Sequence, residues 1–92
     1  MPLSKNDAVR LRHMIEAAQK SIQFTRNKSR ADLDREEQLM LSLVRLVEIV
    51  GEAASRTSRD LQERTPSVPW ADIISARNRL IHAYFDVNLN LL

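Results

Sequence analysis

The sequence predicts an all-α protein, a small antiparallel helical bundle. Three observations carry that expectation. The 92 residues include one Gly, three Pro and very few aromatics, while Leu, Arg and Ala are the commonest residues, a composition that favours helix over turn-rich β structure. Long segments repeat apolar residues at the i, i+3, i+4, i+7 spacing of one helix face. The interruptions between them are short and either polar or proline-bearing, as connections in a bundle are. A chain of this length makes one domain, expected over residues 1–92, with a core of modest size.

The elements follow in order. Ser4-Lys5-Asn6-Asp7 looks like a helix start, a capping box with Asp in place of the usual Glu. Leu11, Met14, Ile15, Ala18 and Ile22 then keep one apolar face. The pattern fades through "TRNKSRADLD", which reads as the first connection. A second helix is expected from about residue 34 to 56, with Leu39, Met40, Leu43, Val44, Leu46, Val47, Val50 and Ala54 as its main stripe. Leu41, Ile49 and Ala53 lie outside that stripe, so this helix is apolar on more than one face and is expected to be buried on two sides. "TPSVPW" breaks the pattern at Pro66 and Pro69. A third helix is expected over about residues 70–85, with Pro69 suited to a first helical position and Asp72 complementing the dipole. "DVNLNLL" begins a further amphipathic turn.

Composition removes several classes of function. Cysteine is absent, which excludes a disulfide framework or thiolate metal site and fits a reducing, cytoplasmic setting. The N-terminal stretch has no long apolar region and carries acids, unlike a signal peptide. No run approaches the roughly 18 apolar residues of a membrane span, so no membrane partner is expected. A net charge of +2 is too small to argue for nucleic-acid binding by itself.

One stretch of the third helix carries the chemistry: "ARNRLIHAYF", residues 76–85. Ile73, Ile74, Leu80, Ile81 and Tyr84 share a face, and Arg77 projects into the middle of it. Asn78 and His82 are i, i+4 partners at the edge of that stripe. Arg77 and His82 diverge by about 140° in a regular helix. One helix therefore does not aim both at one point, whereas two copies meeting across a two-fold axis can build a shared cleft. A structural reading stands beside this one: Arg77 pairs with an acid on the second helix and buries its stem. Glu48 and Glu52 are the candidates, flanking the lone Gly51, where two helices can approach closely. The pattern alone leaves both readings open. His13 is a lone first-helix histidine at a polar position and reads as solvated. Neither histidine has a Glu three residues before it, so no di-metal carboxylate site is expected. Trp70 and Phe85 read as core.

Arg77, four residues, His82, one residue, Tyr84 matches the R-x4-H-x-Y signature of the HEPN ribonucleases. "EIVGEAAS" (residues 48–55) and "PSVPWADIISARNRLIHAYFDV" (residues 66–87) closely resemble the HepT-like toxins of HepT/MntA toxin–antitoxin pairs. The resemblance implies a HEPN-like helical homodimer with two copies of the motif facing a cleft, acting on RNA as a ribonuclease without metal or other cofactor. It implies Arg77 and His82 as catalytic residues, Asn78 as polar support and Tyr84 as the site to which a small MntA-like nucleotidyltransferase antitoxin attaches AMP. Arg79 is expected to face outward, at most as an RNA backbone contact. Members of the family usually continue after "FDV" with a further long helix, so a C-terminally shortened bundle is expected, with Leu89, Leu91 and Leu92 as an unfinished apolar turn. The alternatives are a non-catalytic nucleotide- or protein-binding module of the same fold and a purely structural helical dimer.

Overall fold

The computed structural model describes residues 3–91, and the side chains of residues 3–82. Five helices follow one another: α1 (Lys5–Thr25), α2 (Arg30–Arg35), α3 (Glu37–Ser55), α4 (Arg59–Arg64) and α5 (Trp70–Leu91). The all-α expectation holds. α3 is the central element and packs against both α1 and α5. The Asp7 carboxylate near the start of α1 meets Ser58 just beyond the end of α3. Ala54 near the end of α3 shares a cluster with Trp70 at the start of α5. Both neighbours therefore run antiparallel to α3.

The core is built where those ends meet. Ala54, Leu61 and Trp70 are buried together, with Leu11, Met14, Val68, Ile73 and Ile74 packed against them. Each polar group drawn into this end finds a partner, as burial requires. The Trp70 indole N–H donates to Thr65 Oγ1 at 3.0 Å, and the Thr65 hydroxyl donates to the Leu61 carbonyl at 2.7 Å. The buried Thr57 hydroxyl donates to the Ala54 carbonyl at 2.7 Å and accepts from Gln62 Nε2 at 2.9 Å. Pro66 and Pro69 lie in the linker between α4 and α5, and the Pro69 carbonyl accepts the Ile73 N–H at 3.0 Å. Pro69 thus stands just before α5 and caps it.

Several local expectations are corrected. The polar "TRNKSRADLD" segment contains α2, held by a full capping box in which Ser29 and Asp32 satisfy each other's backbone N–H groups. Glu36, with φ −102° and ψ 90°, interrupts the helix before α3, and its carboxylate pairs with Lys28 at 3.0 Å. The second helix therefore starts later than residue 34. α4, capped by Ser58, was not foreseen, because six residues are too few to establish a period. The terminal "DVNLNLL" turn is not separate, since α5 continues through it to Leu91. The side chains of Phe85, Leu89, Leu91 and Leu92 lie outside the described residues.

The largest correction concerns α1. Its expected face placed Ile15, Ala18 and Ile22 inward, but Ile15 is 57% exposed, Ile22 is 64% exposed and Ala18 is also exposed. Ala17 and Asp7 are buried instead, with Arg10, Leu11, Met14, Ser21 and Thr25 half-buried. The helix is rolled by less than one residue step. The cause is Asp7. Ser4 caps its backbone N–H, yet the carboxylate does not return to close a capping box. It accepts instead from the Ser58 N–H at 2.8 Å and the Ser58 hydroxyl at 2.6 Å. Turning Asp7 inward carries Arg10 inward with it and moves Ile15 and Ile22 out.

These contacts hold the Asp7 carboxyl below the ordinary 3.8, the Ser58 hydroxyl contributing most and the Ser58 N–H next. A group whose folded pKa is depressed stabilises the fold above its unfolded pKa of about 3.9, and that contribution is lost as pH falls through the lower folded value. Asp32 behaves alike, through the Ser29 N–H and then Arg35, so comparison with a variant is needed to isolate Asp7. Asp7→Ala should melt at a lower temperature than wild type at pH 7, with the gap narrowing between about pH 5 and pH 3. Circular dichroism melts across that range test it, and equal melting at pH 7 refutes the tether.

Candidate active site

The site is assembled by the crossing of α3 and α5. Gly51 is buried on α3, and a methyl group placed there would overlap the Arg77 Cβ and lie 2.5 Å from its Cγ. The Arg77 stem takes the space that a side chain at position 51 would fill. From there the guanidinium reaches back along α3. Nη2 donates to Glu52 Oε2 at 3.0 Å, and Nη1 donates to Asn78 Oδ1 at 3.1 Å. Nε is buried without a hydrogen-bond partner. Two of the fork's edges are thus fixed by protein, and the planar group is held in one orientation.

Glu52 carries a second arginine: its Oε1 accepts from Arg56 Nε at 3.0 Å and Nη2 at 2.9 Å. Glu48 pairs with Arg45 at 3.2 Å. Of the two acids considered for Arg77, Glu52 is therefore its partner and Glu48 is engaged elsewhere. The pair is not deeply buried, the Arg77 and Glu52 side chains being 32% and 44% exposed. Truncating Arg77 leaves Glu52 half-exposed and still paired with Arg56, so the ion pair contributes about 1 kcal/mol or less to stability. The larger cost of a buried lone carboxylate does not arise.

A cleft of about 180 Å³ opens beside this arrangement. Arg10 and His13 of α1, Arg45, Glu48 and Glu52 of α3, and Arg77 of α5 line it. Arg10, His13 and Arg45 were not singled out for a site by the sequence, and His13 in particular read as a solvated residue. His13 is exposed, but it stands at the cleft. The signal available was the i, i+3 spacing of Arg10 and His13; placing that pair required the roll of α1. His82 is exposed on α5 and does not line this cleft. Arg79 is exposed, as expected. The Tyr84 side chain lies outside the described residues. Among the described residues no three His, Cys, Asp or Glu side chains gather as a metal site, and no helix is long and apolar enough to cross a membrane.

With an arginine locked against an acid on the neighbouring helix and a histidine five positions on, the chain matches a known family over most of its length. A family model described as ribonuclease HepT-like covers residues 14–92. The chain belongs to the HepT-like ribonuclease family. A Methanocaldococcus jannaschii protein whose name provisionally assigns it as an RNase is 33% identical over 91 residues, spanning 98% of this chain and 84% of that relative. A Caldanaerobacter subterraneus protein with the same provisional assignment is 32% identical over 82 residues, 89% of this chain and 73% of the relative. A Thermococcus cleftensis protein carrying the name "Probable ribonuclease HepT" is 32% identical over 82 residues, 89% of this chain and 74% of its own length. No solved structure matches the HepT-like chain.

Gly51 offers a direct check on the crossing. In an isolated helix Gly→Ala stabilises by about 1 kcal/mol. Here the added methyl meets the Arg77 stem, and overpacking of that kind costs about 1–3 kcal/mol. Gly51→Ala should therefore lower the midpoint of urea unfolding, whereas Gly51→Ala in an Arg77→Gly background should recover part of the loss. A raised midpoint in the single variant refutes the close approach.

Proposed function

We propose that this HepT-like ribonuclease is a metal-independent endoribonuclease toxin, cutting RNA in a cleft completed by a second copy of the chain. The observation that carries the reading is Arg77: its stem is seated on Gly51 and its guanidinium is held by Glu52 and Asn78. A cation held in place before substrate arrives stabilises charge as it develops, without reorganising at the moment of reaction. In the reaction, a base takes the proton from a ribose 2′-hydroxyl, whose oxygen attacks the adjacent phosphorus. The P–O5′ bond breaks, and an acid delivers a proton to the departing 5′-oxygen. The products are a 2′,3′-cyclic phosphate and a free 5′-hydroxyl. Because the nucleophile belongs to the substrate, no metal-activated water is required. Arg77 holds the non-bridging oxygens, and the His82 imidazole acts as acid or base. Asn78 fixes the guanidinium plane.

Within one chain, His82 is exposed and does not line the Arg77 cleft. A homodimer that sets α5 of one copy against α5 of the other brings the histidine of one site toward the arginine of the next. The toxin assignment follows the resemblance of the R-x4-H-x-Y motif. In that scheme a small nucleotidyltransferase antitoxin joins AMP to Tyr84, seven residues after Arg77, adding bulk and negative charge to the motif.

Two measurements test this reading. His82→Ala truncates an exposed residue, so it should keep the helical spectrum and, by light scattering, the dimer mass, while losing cleavage of total RNA by at least about a hundredfold. A folded variant that cuts like wild type removes His82 from its role. Incubation with a cognate nucleotidyltransferase and ATP should add AMP to wild type and none to Tyr84→Phe, read by mass spectrometry. Equal modification of both removes Tyr84 from its role.

A further inference from the structure

We propose that Arg10 and His13 of α1 form a second binding wall of the cleft, which takes the RNA backbone phosphate next to the one held by Arg77. The proposal rests on the ribonuclease reading of the Arg77 site and names a further part of its substrate contact. The cleft is lined by three arginines and one histidine against two glutamates. The partnerships among these groups are unequal. Arg77 and Arg56 share Glu52, and Arg45 holds Glu48. Arg10 and His13, one turn apart on the same edge of α1, have no hydrogen bond or ion pair among the described residues. Every acid at the cleft is therefore already engaged, and the two unengaged groups are N–H donors.

Position argues in the same direction. Asp7, one turn before Arg10, is buried and bound to Ser58, which fixes the roll of α1 and delivers Arg10 and His13 to the cleft rather than to open solvent. That roll leaves Ile15 and Ile22 exposed and puts Arg10 and His13 among the residues that line the cleft. A volume of about 180 Å³ is below the roughly 300–1,000 Å³ of pockets that enclose a small molecule. It suits a phosphate and part of its ribose on a chain that continues out at either side. A guanidinium with an imidazole N–H one turn away gives two kinds of donor at the same cleft for phosphodiester oxygens.

The test uses wild type, Arg10→Gln, His13→Ala and, as a control at the unrelated surface near Trp70, Arg59→Gln. Binding is measured with a short single-stranded 2′-O-methyl RNA, which has no free 2′-hydroxyl and is not cut by the proposed chemistry. Loss of a charge-assisted contact should raise Kd about tenfold for Arg10→Gln, and about fivefold for His13→Ala. Arg10→Gln should also flatten the slope of log affinity against log salt by about 0.7. With cleavable RNA, KM should rise by matching factors while kcat stays within about twofold, the pattern of a contact made equally in ground and transition states. Arg59→Gln should match wild type throughout. His13 is exposed and Arg10 half-buried, and circular dichroism verifies folding; if Arg10→Gln fails to fold, His13→Ala alone decides. Variants that bind and cut like wild type overturn the proposal, as does a fall in kcat with Kd unchanged. Unaltered RNA binding with weakened ATP binding in the same variants assigns the wall to a free nucleotide and overturns it too. Wild type that binds this RNA through Arg10 and His13 yet leaves unmodified RNA intact removes the ribonuclease reading while the phosphate wall stands. Wild type that does neither overturns both.

Discussion

At Gly51 the α3 backbone comes so near α5 that the aliphatic stem of Arg77 occupies the space a side chain would take. The rest of the cleft depends on this approach. It fixes the separation of the two helices, sets Arg77 over the acidic edge of α3, and leaves Glu52 within 3.0 Å of its guanidinium. A β-carbon at position 51 would push the helices apart and take the arginine with them. The residue that lacks a side chain thus decides where the Arg77 side chain lies. Packing is the stronger term here, since a half-exposed ion pair contributes about 1 kcal/mol at most, while displacement of a packed stem disturbs every neighbour that rests on it.

α1 is positioned by a different kind of contact. The link from Asp7 to Ser58 joins residues 51 positions apart, and it brings a carboxylate to a point where both a backbone N–H and a hydroxyl await it. Such a group determines the roll of its helix more sharply than apolar residues do, because hydrogen bonds are directional and a hydrophobic face is not. The consequence is a helix that exposes two isoleucines and turns an arginine and a histidine toward the neighbouring helix.

These two contacts also explain what was legible in the sequence. α3 and α5 could be read because each sustains its period over many residues and because Pro66 and Pro69 punctuate the gap between them. The approach at Gly51, and an acid on one side of it, followed from the chain's single glycine lying between Glu48 and Glu52. Which acid Arg77 takes did not follow, because Arg45 sits one turn before Glu48 and engages it. α2 and α4 escaped notice as six-residue helices announced mainly by their serine caps. The roll of α1 was beyond reach for a physical reason: Leu11, Met14, Ile15, Ala18 and Ile22 define a good apolar face by periodicity, and the partner that overrules it lies far along the chain. His13 is exposed, as its polar position suggested, and its place at the cleft came with that roll.

The arrangement around Trp70 gives the molecule a built-in optical reporter. Trp70 is the chain's one tryptophan, it is only 7% exposed, and its indole N–H is engaged by Thr65. It sits at the junction where the end of α3, α4 and the first turn of α5 converge. Its emission therefore arises from a single environment and registers whether α5 is docked at its N-terminal end. Arg77 lies two helical turns further along the same element. Light absorbed at one residue can follow the seating of the helix that carries Arg77, with no label attached and no side chain of the cleft altered.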